Sequence, residues 1–327
     1  MLNHPTFYFK NILLTMTLSM LGMCASAQDW PTKPVKIIVP WAAGGVTDTL
    51  ARVAASKLST SLNQPFYVEN HAGAGGIIGS DMVAKAPPDG YTLVASGMAS
   101  HVITPNTAKV PFDAMKSFTH IAMLGGPPLV LVVHPTLPVK DVKELLAYIA
   151  AQPEGINYGS AGAGTHNHLM GELFRSKTNA NMVHISYKGG GQALVDLMSG
   201  HVKVAFLTLT TVSGNLKAGK LRALAITSNK RLSDYSNVAT FSEQGYSYLT
   251  TYNWSGLSGP AGMPAPLVEK INEQVNKALR QSDVREKLRT EGIDSFDMDP
   301  EAFTAFFQKE IQNWSPVAKS INLKLGN

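Results

Sequence analysis

The chain has 327 residues, of which 44% are hydrophobic and 16% are charged, and its formal net charge is +5. This length and composition suit one large globular domain or two of ordinary size. The positive charge is mild and has no basic run behind it, so the composition does not favour a nucleic-acid-binding protein. Cys24 is the only cysteine, which excludes disulfides, thiolate metal sites and a cysteine nucleophile from the rest of the chain.

The first 27 residues are typical of a secretory signal peptide. Lys10 is followed by the apolar run ILLTMTLSMLGMC, and small residues at 25–27 form an A-x-A cleavage pattern. The run is shorter than the roughly 18 apolar residues that a membrane anchor requires. A lipid anchor on Cys24 is disfavoured, because Met23 stands where the bacterial lipoprotein pattern has a small residue just before the cysteine. We therefore expect residues 1–27 to be cleaved on export to the periplasm, and loss of Lys10 would lower the net charge by one, to +4.

The first predicted unit after the signal is a strand, a glycine loop and a helix. Residues 35–39 are continuously apolar, as in a strand buried on both faces. Gly44 and Gly45 follow, and then comes an amphipathic helix. The apolar face of this helix carries Leu50, Val53, Ala54 and Leu58. A glycine loop at the start of a helix can direct backbone N–H groups at an anion, so this unit predicts an anion-binding loop.

Strand and helix patterns alternate along the rest of the chain. This alternation predicts an α/β architecture with largely parallel sheets. Further strands are predicted at 66–69, 91–96, 129–133, 156–160, 183–187, 202–209 and 221–228. Helices are predicted at 139–151 and 267–289, and a last helix is predicted to begin at Asp299-Pro300. The proline-rich stretch beyond Tyr248 is predicted to be a loop.

The glycine loops do not carry the fingerprints of nucleotide-binding proteins or hydrolases. Ile78 occupies the third glycine position of G-x-G-x-x-G, and the pattern G-x-x-x-x-G-K-[ST] does not occur. Ser160 lacks the glycine two residues earlier that a nucleophile elbow requires. We therefore predict a protein that is not an enzyme, and the remaining role for the glycine loops is capture of an anion by backbone amides.

The nine histidines do not predict a metal site. Two pairs are candidates, His166 with His168 and His184 with His201, but neither has a metalloprotease-type spacing with a supporting carboxylate. Side chains two residues apart on a helix diverge by about 200 degrees, so His166 and His168 would not face one ion there. No metal and no cofactor are therefore expected.

Taken together, four stretches resemble the Bug-type solute-binding receptors of tripartite tricarboxylate transporters. The stretches are WPTKPVKIIVPWAAGGVTD, ENHAGAGGIIGSDMVAKAPPDGYTL, INYGSAGAGTHNHLMGELF, and YKGGGQALVDLMSGHV followed by GKLRALAIT. The resemblance covers essentially the whole chain after the signal. It implies a type II periplasmic binding protein, in which two α/β domains joined by a hinge close on a ligand cleft. Domain 1 would comprise 28–127 plus 254–327, and domain 2 would comprise 128–253.

The resemblance also implies the ligand, the partners and the site. A small carboxylate would be bound between the domains and delivered by a periplasmic monomer to the membrane permease subunits of the transporter. The residues that it places at the ligand, together with neighbours of the loops, are Trp41, Gly44, Gly45, Val46, Thr47, Asp48, Ser96, His101, Ser160, Ala163, Gly164, Thr165, His168, Tyr187 and Lys188. Tyr187 and Lys188 are expected at the distal end of the ligand.

This sequence departs from the family pattern at three places. Ala42-Ala43 replaces a pair of prolines, Trp41 replaces a phenylalanine, and Lys203 replaces an aspartate. If Trp41 stacks on a ring, an aromatic mono- or dicarboxylate is favoured; otherwise Trp41 only packs at the cleft wall. Asp48 either orders the loop or accepts a hydrogen bond from a ligand ammonium or hydroxyl group.

Two other classes of function remain open from the sequence. A ligand-binding partner of a membrane sensor kinase would need the same cleft and only a different docking surface. A secreted hydrolase would need a nucleophile, a base and an orienting group, and the sequence shows no such set.

Overall fold

Two five-stranded sheets organise the molecule. The computed structural model describes residues 30–290 and 292–320. Residues 30–32 belong to an N-terminal unit, and the chain from Lys33 onward forms one compact unit, to which the following description applies. The predicted signal peptide, residues 1–27, lies outside the described residues.

The elements alternate between strand and helix through most of the chain. The strands are β1 Val35–Val39, β2 Phe66–Asn70, β3 Thr92–Gly97, β4 Phe118–Gly125, β5 Leu129–Val133, β6 Ile156–Ser160, β7 Met182–Ser186, β8 Val204–Thr208, β9 Arg222–Ile226 and β10 Ser255–Pro260. The helices are α1 Val46–Leu62, α2 Ile77–Ala84, α3 Thr104–Thr107, α4 Val142–Ala150, α5 His166–Thr178, α6 Gly190–Ser199, α7 Leu209–Lys217, α8 Ala265–Leu279, α9 Ser282–Thr290 and α10 Pro300–Ser320. A π-helix, Met98–Ile103, follows β3 directly.

The strand order is β2-β1-β3-β10-β4 in the first sheet and β7-β6-β8-β5-β9 in the second. The prediction of largely parallel sheets holds for four of the five strands in each sheet, but β10 runs antiparallel to β3 and β4, and β5 runs antiparallel to β8 and β9. Both strands are entered from the other sheet. They therefore do not need the helical crossover that a parallel pairing requires.

Strand β10 was predicted to be a loop, because its sequence SGLSGP lacks the apolar pattern of a strand. It nevertheless lies inside the first sheet, and all six of its residues are buried. A Cβ on Gly256 would overlap the Phe303 ring, and one on Gly259 would overlap the sulfur of Met263. The small residues therefore allow large side chains to pack directly on this strand.

Several helix and strand predictions are confirmed. Strand β1 covers residues 35–39, and the four predicted apolar residues of α1 are all buried. Helix α10 begins at Pro300, and Asp299 Oδ1 accepts a hydrogen bond of 2.7 Å from Ala302 N. The predicted helix at 267–289 is instead two helices, α8 and α9, because the chain turns at Arg280 before the cap-type residues Ser282 and Asp283.

The segments that connect the two sheets lie beside each other. Gly126 N donates to Asp294 O at 2.9 Å, and Asn253 N donates to Pro127 O at 2.9 Å. A Cβ on Gly126 would lie 2.5 Å from Trp254 Cα, so glycine is required for this approach. None of the helices in the described ranges has the length and apolar character needed to cross a bilayer.

Candidate functional site

A cavity of about 830 Å³ lies between the two sheets. Residues from both sheets form its walls. From the first sheet come 41–48 after β1, 97–99 at the end of β3 and 253–254 before β10. From the second come Ala161 and 165–167 after β6, 188–190 after β7, and Thr208 and Thr211 at the end of β8 and the start of α7. Most of these segments follow the carboxyl end of a strand, which is where open α/β sheets bind ligands. We call this cavity the cleft.

On the first sheet, the cleft is bounded by the glycine loop that begins α1. Gly44 has φ +91°, a conformation that disfavours other residues, and the space beside both Gly44 and Gly45 is open. The N–H groups of Val46 and Thr47 have no hydrogen-bond acceptor among the described residues. The Thr47 hydroxyl lies 2.9 Å from the Ser255 hydroxyl of β10. The loop therefore leaves helix N–H groups free beside the cleft.

Asp48 orders this loop from inside. Its Oδ2 accepts hydrogen bonds from Gly44 N at 3.0 Å and Arg52 Nε at 2.9 Å, and its Oδ1 accepts one from Asn70 Nδ2 at 2.9 Å. Burial by itself would raise the pKa of Asp48, but the hydrogen bonds from Arg52, Gly44 and Asn70 outweigh it and lower the pKa below its ordinary value. Of the two roles open from the sequence, the contacts favour ordering of the loop.

The second sheet directs three helix N-termini at the same cleft. Helix α5 begins with His166 and Asn167, whose N–H groups have no acceptor in the described chain. Helix α6 follows Gly189, which has φ +122°, and α7 follows Thr208, whose hydroxyl lies 2.8 Å from that of Thr211. Each helix N-terminus carries a partial positive charge. Four N-termini from two sheets therefore favour a negatively charged ligand.

Two of the residues that line the cleft carry a formal charge, Asp48 and Lys188. Arg52 pairs with Asp48, whereas Lys188 is exposed and is in none of the ion pairs between described residues. The Lys188 N–H is held by Gln192 Oε1 at 3.1 Å, which fixes the backbone beside Gly189. The uncompensated charge at the cleft is therefore positive.

The structure places eight of the fifteen predicted ligand-binding residues at the cleft: Trp41, Gly44, Gly45, Val46, Thr47, Asp48, Thr165 and Lys188. The other seven do not line it: Ser96, His101, Ser160, Ala163, Gly164, His168 and Tyr187. The seven share one property, which is that other parts of the protein already engage or enclose them.

Four of these seven, Ser160, Ala163, Gly164 and His168, lie in or beside the glycine loop before α5, whose hydrogen bonds are made within this region and to β7. Ser160 Oγ accepts from Gly162 N at 3.1 Å, and Ala163 N donates to Ser186 Oγ at 2.8 Å. Gly164 N donates to His168 Nδ1 at 3.2 Å. The N–H groups of Gly162, Ala163 and Gly164 therefore already have acceptors inside the protein.

The remaining three are enclosed elsewhere. The hydroxyl oxygens of Ser96 and Ser258 lie at a hydrogen-bond distance of 2.8 Å, and the Tyr187 hydroxyl donates to Asp196 Oδ2 at 2.8 Å. His101 is fully buried against the Phe112 and Phe118 rings, and burial lowers its pKa to about 3. These contacts make the three side chains part of the packing.

Several cleft residues were not predicted as ligand residues. They are Ala42, Ala43, Gly97, Met98, Ala99, Ala161, His166, Asn167, Gly189, Gly190, Thr208, Thr211, Asn253 and Trp254. Thr208 and Thr211 follow the strand β8, so the strand-end rule for α/β sheets offered a signal for them. Trp254 sits in a stretch that reads as a loop, and no local pattern distinguishes it.

The histidines near the cleft are packed rather than exposed. His166 Nε2 lies 3.2 Å from Thr251 Oγ1, its ring meets Trp314 edge-on, and burial lowers its pKa to about 3. The rings of His168 and His184 stack at 3.7 Å. Within the described ranges, no three His, Cys, Asp or Glu side chains are grouped so that they could hold a metal ion.

One Ser–His pair bears on the hydrolase alternative. Ser160 Oγ lies 2.7 Å from His184 Nε2, which is the distance of a nucleophile–base pair. Ser160, however, is completely buried and lies outside the cleft, and burial lowers the pKa of His184 to about 4. A substrate carbonyl group has no access to Ser160 in this arrangement.

Comparison with known proteins places the chain among transport receptors. The family model described as tripartite tricarboxylate transporter family receptor matches residues 50–323. Protein BugT of Bordetella pertussis is 35% identical over 302 residues, which are 92% of this chain and 93% of BugT.

Two solved structures support the same assignment. MatC from Rhodopseudomonas palustris with bound malate is 31% identical, has a TM-score of 0.74, and covers 88% of this chain and 100% of its own. Rpa4515 of R. palustris with adipate is 33% identical, has a TM-score of 0.76, and covers 89% of this chain and 98% of its own. The predicted type II periplasmic binding fold is thereby confirmed, and the chain belongs to the tripartite tricarboxylate transporter receptor family.

Proposed function

We propose that this protein is a periplasmic receptor that captures a small carboxylate in the cleft and delivers it to the membrane permease subunits of a tripartite tricarboxylate transporter. The observation that carries the proposal is the convergence of four helix N-termini on one cleft that has an uncompensated positive charge. Export would depend on cleavage of residues 1–27. The receptor acts as a monomer, performs no catalysis and needs no cofactor.

Capture depends on closure of the two halves of the molecule, with boundaries at 127/128 and 253/254. A helix N-terminus contributes about 0.3–2 kcal/mol to an anion, and a charge-assisted hydrogen bond adds about 1.5–3 kcal/mol. Micromolar affinity needs about 8 kcal/mol in total, so a few such contacts suffice only if closure also excludes water from the cleft. The ligand stabilises the closed form because it touches both sheets only there.

The character of the ligand follows from the distribution of polar groups around the cleft. The free N–H groups of α1 would receive one carboxylate group. On the opposite side, Lys188 and the start of α6 would receive a second acidic or polar group. Malate and adipate, the ligands of the two related receptors, are both dicarboxylates. A short dicarboxylate is therefore the first class to test here.

A thermal-shift screen and calorimetry with malate, adipate and hexanoate test the proposal. A ligand at about 100 times its dissociation constant adds about 2.7 kcal/mol to the free energy of unfolding. Adipate and hexanoate have the same carbon chain, so Lys188→Met should weaken adipate binding about ten-fold or more and hexanoate binding much less.

Lys203→Met provides the matched control, because Lys203 is also an exposed lysine of the second half but lies outside the cleft. The Lys203→Met variant should bind adipate with the same affinity as the unmodified protein. If no carboxylate raises the melting temperature, the proposed function is wrong. If Lys188→Met weakens adipate and hexanoate equally, Lys188 does not contact the second acidic group.

A further inference from the structure

A second cavity, of about 730 Å³, lies on the other side of the segment that enters β10. Thr250, Thr251 and Tyr252 line this second cavity, whereas the next two residues, Asn253 and Trp254, line the cleft. The remaining walls come mainly from α5, α10 and the turn at 242–248. The segment 250–254 therefore separates two cavities of similar size.

Aromatic rings form much of the second cavity. They belong to Tyr248, Tyr252, Phe296, Phe306 and Trp314. The Tyr252 and Phe296 rings meet edge-on with centroids 4.8 Å apart, and Tyr248 is 45% exposed. The cavity thus offers several aromatic faces and is open to water beside Tyr248.

A buried carboxyl group lies among these rings. Glu310, on α10, is 8% exposed, and its Oε2 accepts a hydrogen bond of 2.9 Å from Trp254 Nε1. In the described part of the chain, no lysine, arginine or histidine nitrogen lies within ion-pair distance of it. Burial raises the pKa of Glu310 to about 7, although the hydrogen bond from Trp254, the charge of Lys309 and a hydrogen bond from Trp314 favour the ionised form.

A buried carboxylate without a counter-ion is costly, and a cation supplied by a ligand would remove that cost. A carboxylate can accept about four hydrogen bonds, so Glu310 retains acceptor sites beyond the two indole groups. Aromatic faces attract an organic cation through their quadrupole and also accept its apolar part. The two features therefore favour the same chemical class of ligand.

We propose that the second cavity binds a small organic ammonium compound with an apolar or aromatic body. The ammonium group would meet the Glu310 carboxylate, and the body would lie among the Tyr248, Phe306 and Trp314 rings. This site is independent of the carboxylate cleft, since none of these four residues lines the cleft.

The other charged and titratable groups around the cavity must be weighed against Glu310. Lys177 and Lys309 line it and oppose a cation, but both are exposed, so water and salt screen them more than they screen Glu310. The phenol groups of Tyr248 and Tyr252 have raised pKa values and stay neutral. His166, which packs on Trp314, has its pKa lowered by burial and also stays neutral.

Calorimetry with 2-phenylethylamine and 3-phenylpropionate, at about pH 8 where Glu310 is ionised, tests the proposal. The two probes have similar phenylalkyl bodies and opposite charges. Phenylethylamine should bind, and Glu310→Gln, which retains an acceptor for Trp254, should weaken it about ten- to hundred-fold. Lys309→Gln removes an opposing charge but also raises the pKa of Glu310, so its effect is measured at about pH 9, where Glu310 is ionised; there it should strengthen phenylethylamine binding.

Two further variants locate the binding. Ser247→Trp, at an exposed residue of the cavity wall, should block phenylethylamine even if Glu310→Gln proves too unstable to purify. Lys188→Met, in the cleft, should leave its affinity unchanged. The proposal is overturned if phenylethylamine does not bind at millimolar concentration, if Ser247→Trp has no effect, or if Lys309→Gln weakens binding.

Discussion

The glycine loop before α1 and the glycine loop before α5 have the same sequence plan but are held by different side chains. In the first loop, a carboxylate inside the protein holds Gly44 and leaves the N–H groups of Val46 and Thr47 free at the cleft. In the second loop, Ser186 and His168 accept the N–H groups of Ala163 and Gly164. After both loops, the first N–H groups of the following helix have no acceptor in the described chain, those of Val46 and Thr47 in one and those of His166 and Asn167 in the other. The two loops therefore differ in the side chains that hold them: a carboxylate in the first, and a hydroxyl group and an imidazole in the second.

The third glycine loop, at 73–76, differs from both of these loops because it serves packing and does not reach the cleft. A Cβ on Gly76 would lie 2.7 Å from Ser100 Cβ, and one on Gly73 would lie 2.6 Å from the Ile78 side chain. Thr104 Oγ1 donates to Gly75 O at 2.8 Å. These glycines allow close packing between elements of the first half, and none of them lines the cleft.

The largest expected effect is acid destabilisation. Burial lowers the pKa values of His101, His120, His166 and His184 to between about 3 and about 4. Below about pH 6.5 the unfolded chain takes up protons that the folded chain does not, so the free energy of unfolding falls by about 1.4 kcal/mol per pH unit for each such group. The loss should continue until the folded values are reached.

Denaturant melts between about pH 7 and pH 5 measure this loss, which should amount to several kcal/mol. Hydrogen exchange followed by mass spectrometry would separate the two loops. The loop before α5 rests on the stacked rings of His168 and His184 and should lose protection as the pH falls. The loop before α1 should keep its protection, because the lowered pKa of Asp48 keeps that carboxylate ionised until the pH drops below its ordinary range. Stability that does not change between these pH values would contradict burial of neutral histidines.

The next effect concerns the side chains that hold each loop. Asp48→Ala leaves Gly44 N and the Asn70 amide without their acceptor, which should cost about 2–3 kcal/mol of stability. Ser186→Ala removes the acceptor of Ala163 N at an exposed position and should cost less than about 1 kcal/mol.

Affinity for adipate distinguishes the two loops more sharply than stability does. Asp48→Ala should weaken adipate binding, because the first loop is no longer held in the conformation that presents its N–H groups. Ser186→Ala should leave adipate binding unchanged. Equal losses in the two variants would mean that Ser186 holds the second loop at the ligand as firmly as Asp48 holds the first.

The smallest effect is expected from Trp41, which lies in the first loop and lines the cleft. A stacked aromatic ring contributes about 0.5–1.5 kcal/mol beyond the area that it buries. Trp41→Ala should therefore weaken benzoate binding about two- to ten-fold and leave adipate binding nearly unchanged. Calorimetry with both ligands measures the difference, and an equal change for both would show that Trp41 does not stack on aromatic ligands.

The sequence predicted the local units of the fold well. Strand β1, the buried face of α1 and the cap of α10 follow from patterns within a few residues, and the structure confirms them. It did not predict β10, because the small residues Gly256 and Gly259 carry no strand signal and are needed to make room for Phe303 of α10 and for Met263. The direction of β5 and β10 also depends on crossings between the two halves, which no local pattern reports.

For the site, the sequence by itself determined which loops end at helix N-termini, that such loops suit anions, and which family the chain resembles. Only the tertiary structure decided which amides remain free. Gly44 and Gly164 sit in similar motifs, yet the acceptor for one is Asp48, held by Arg52 and Asn70, and the acceptor for the other is His168, stacked on His184. Trp254 and Thr208 reach the cleft through strands that lie far apart in the chain. The two acceptors are held in place only when the neighbouring strand of the same sheet brings Asn70 beside the first loop and His184 beside the second.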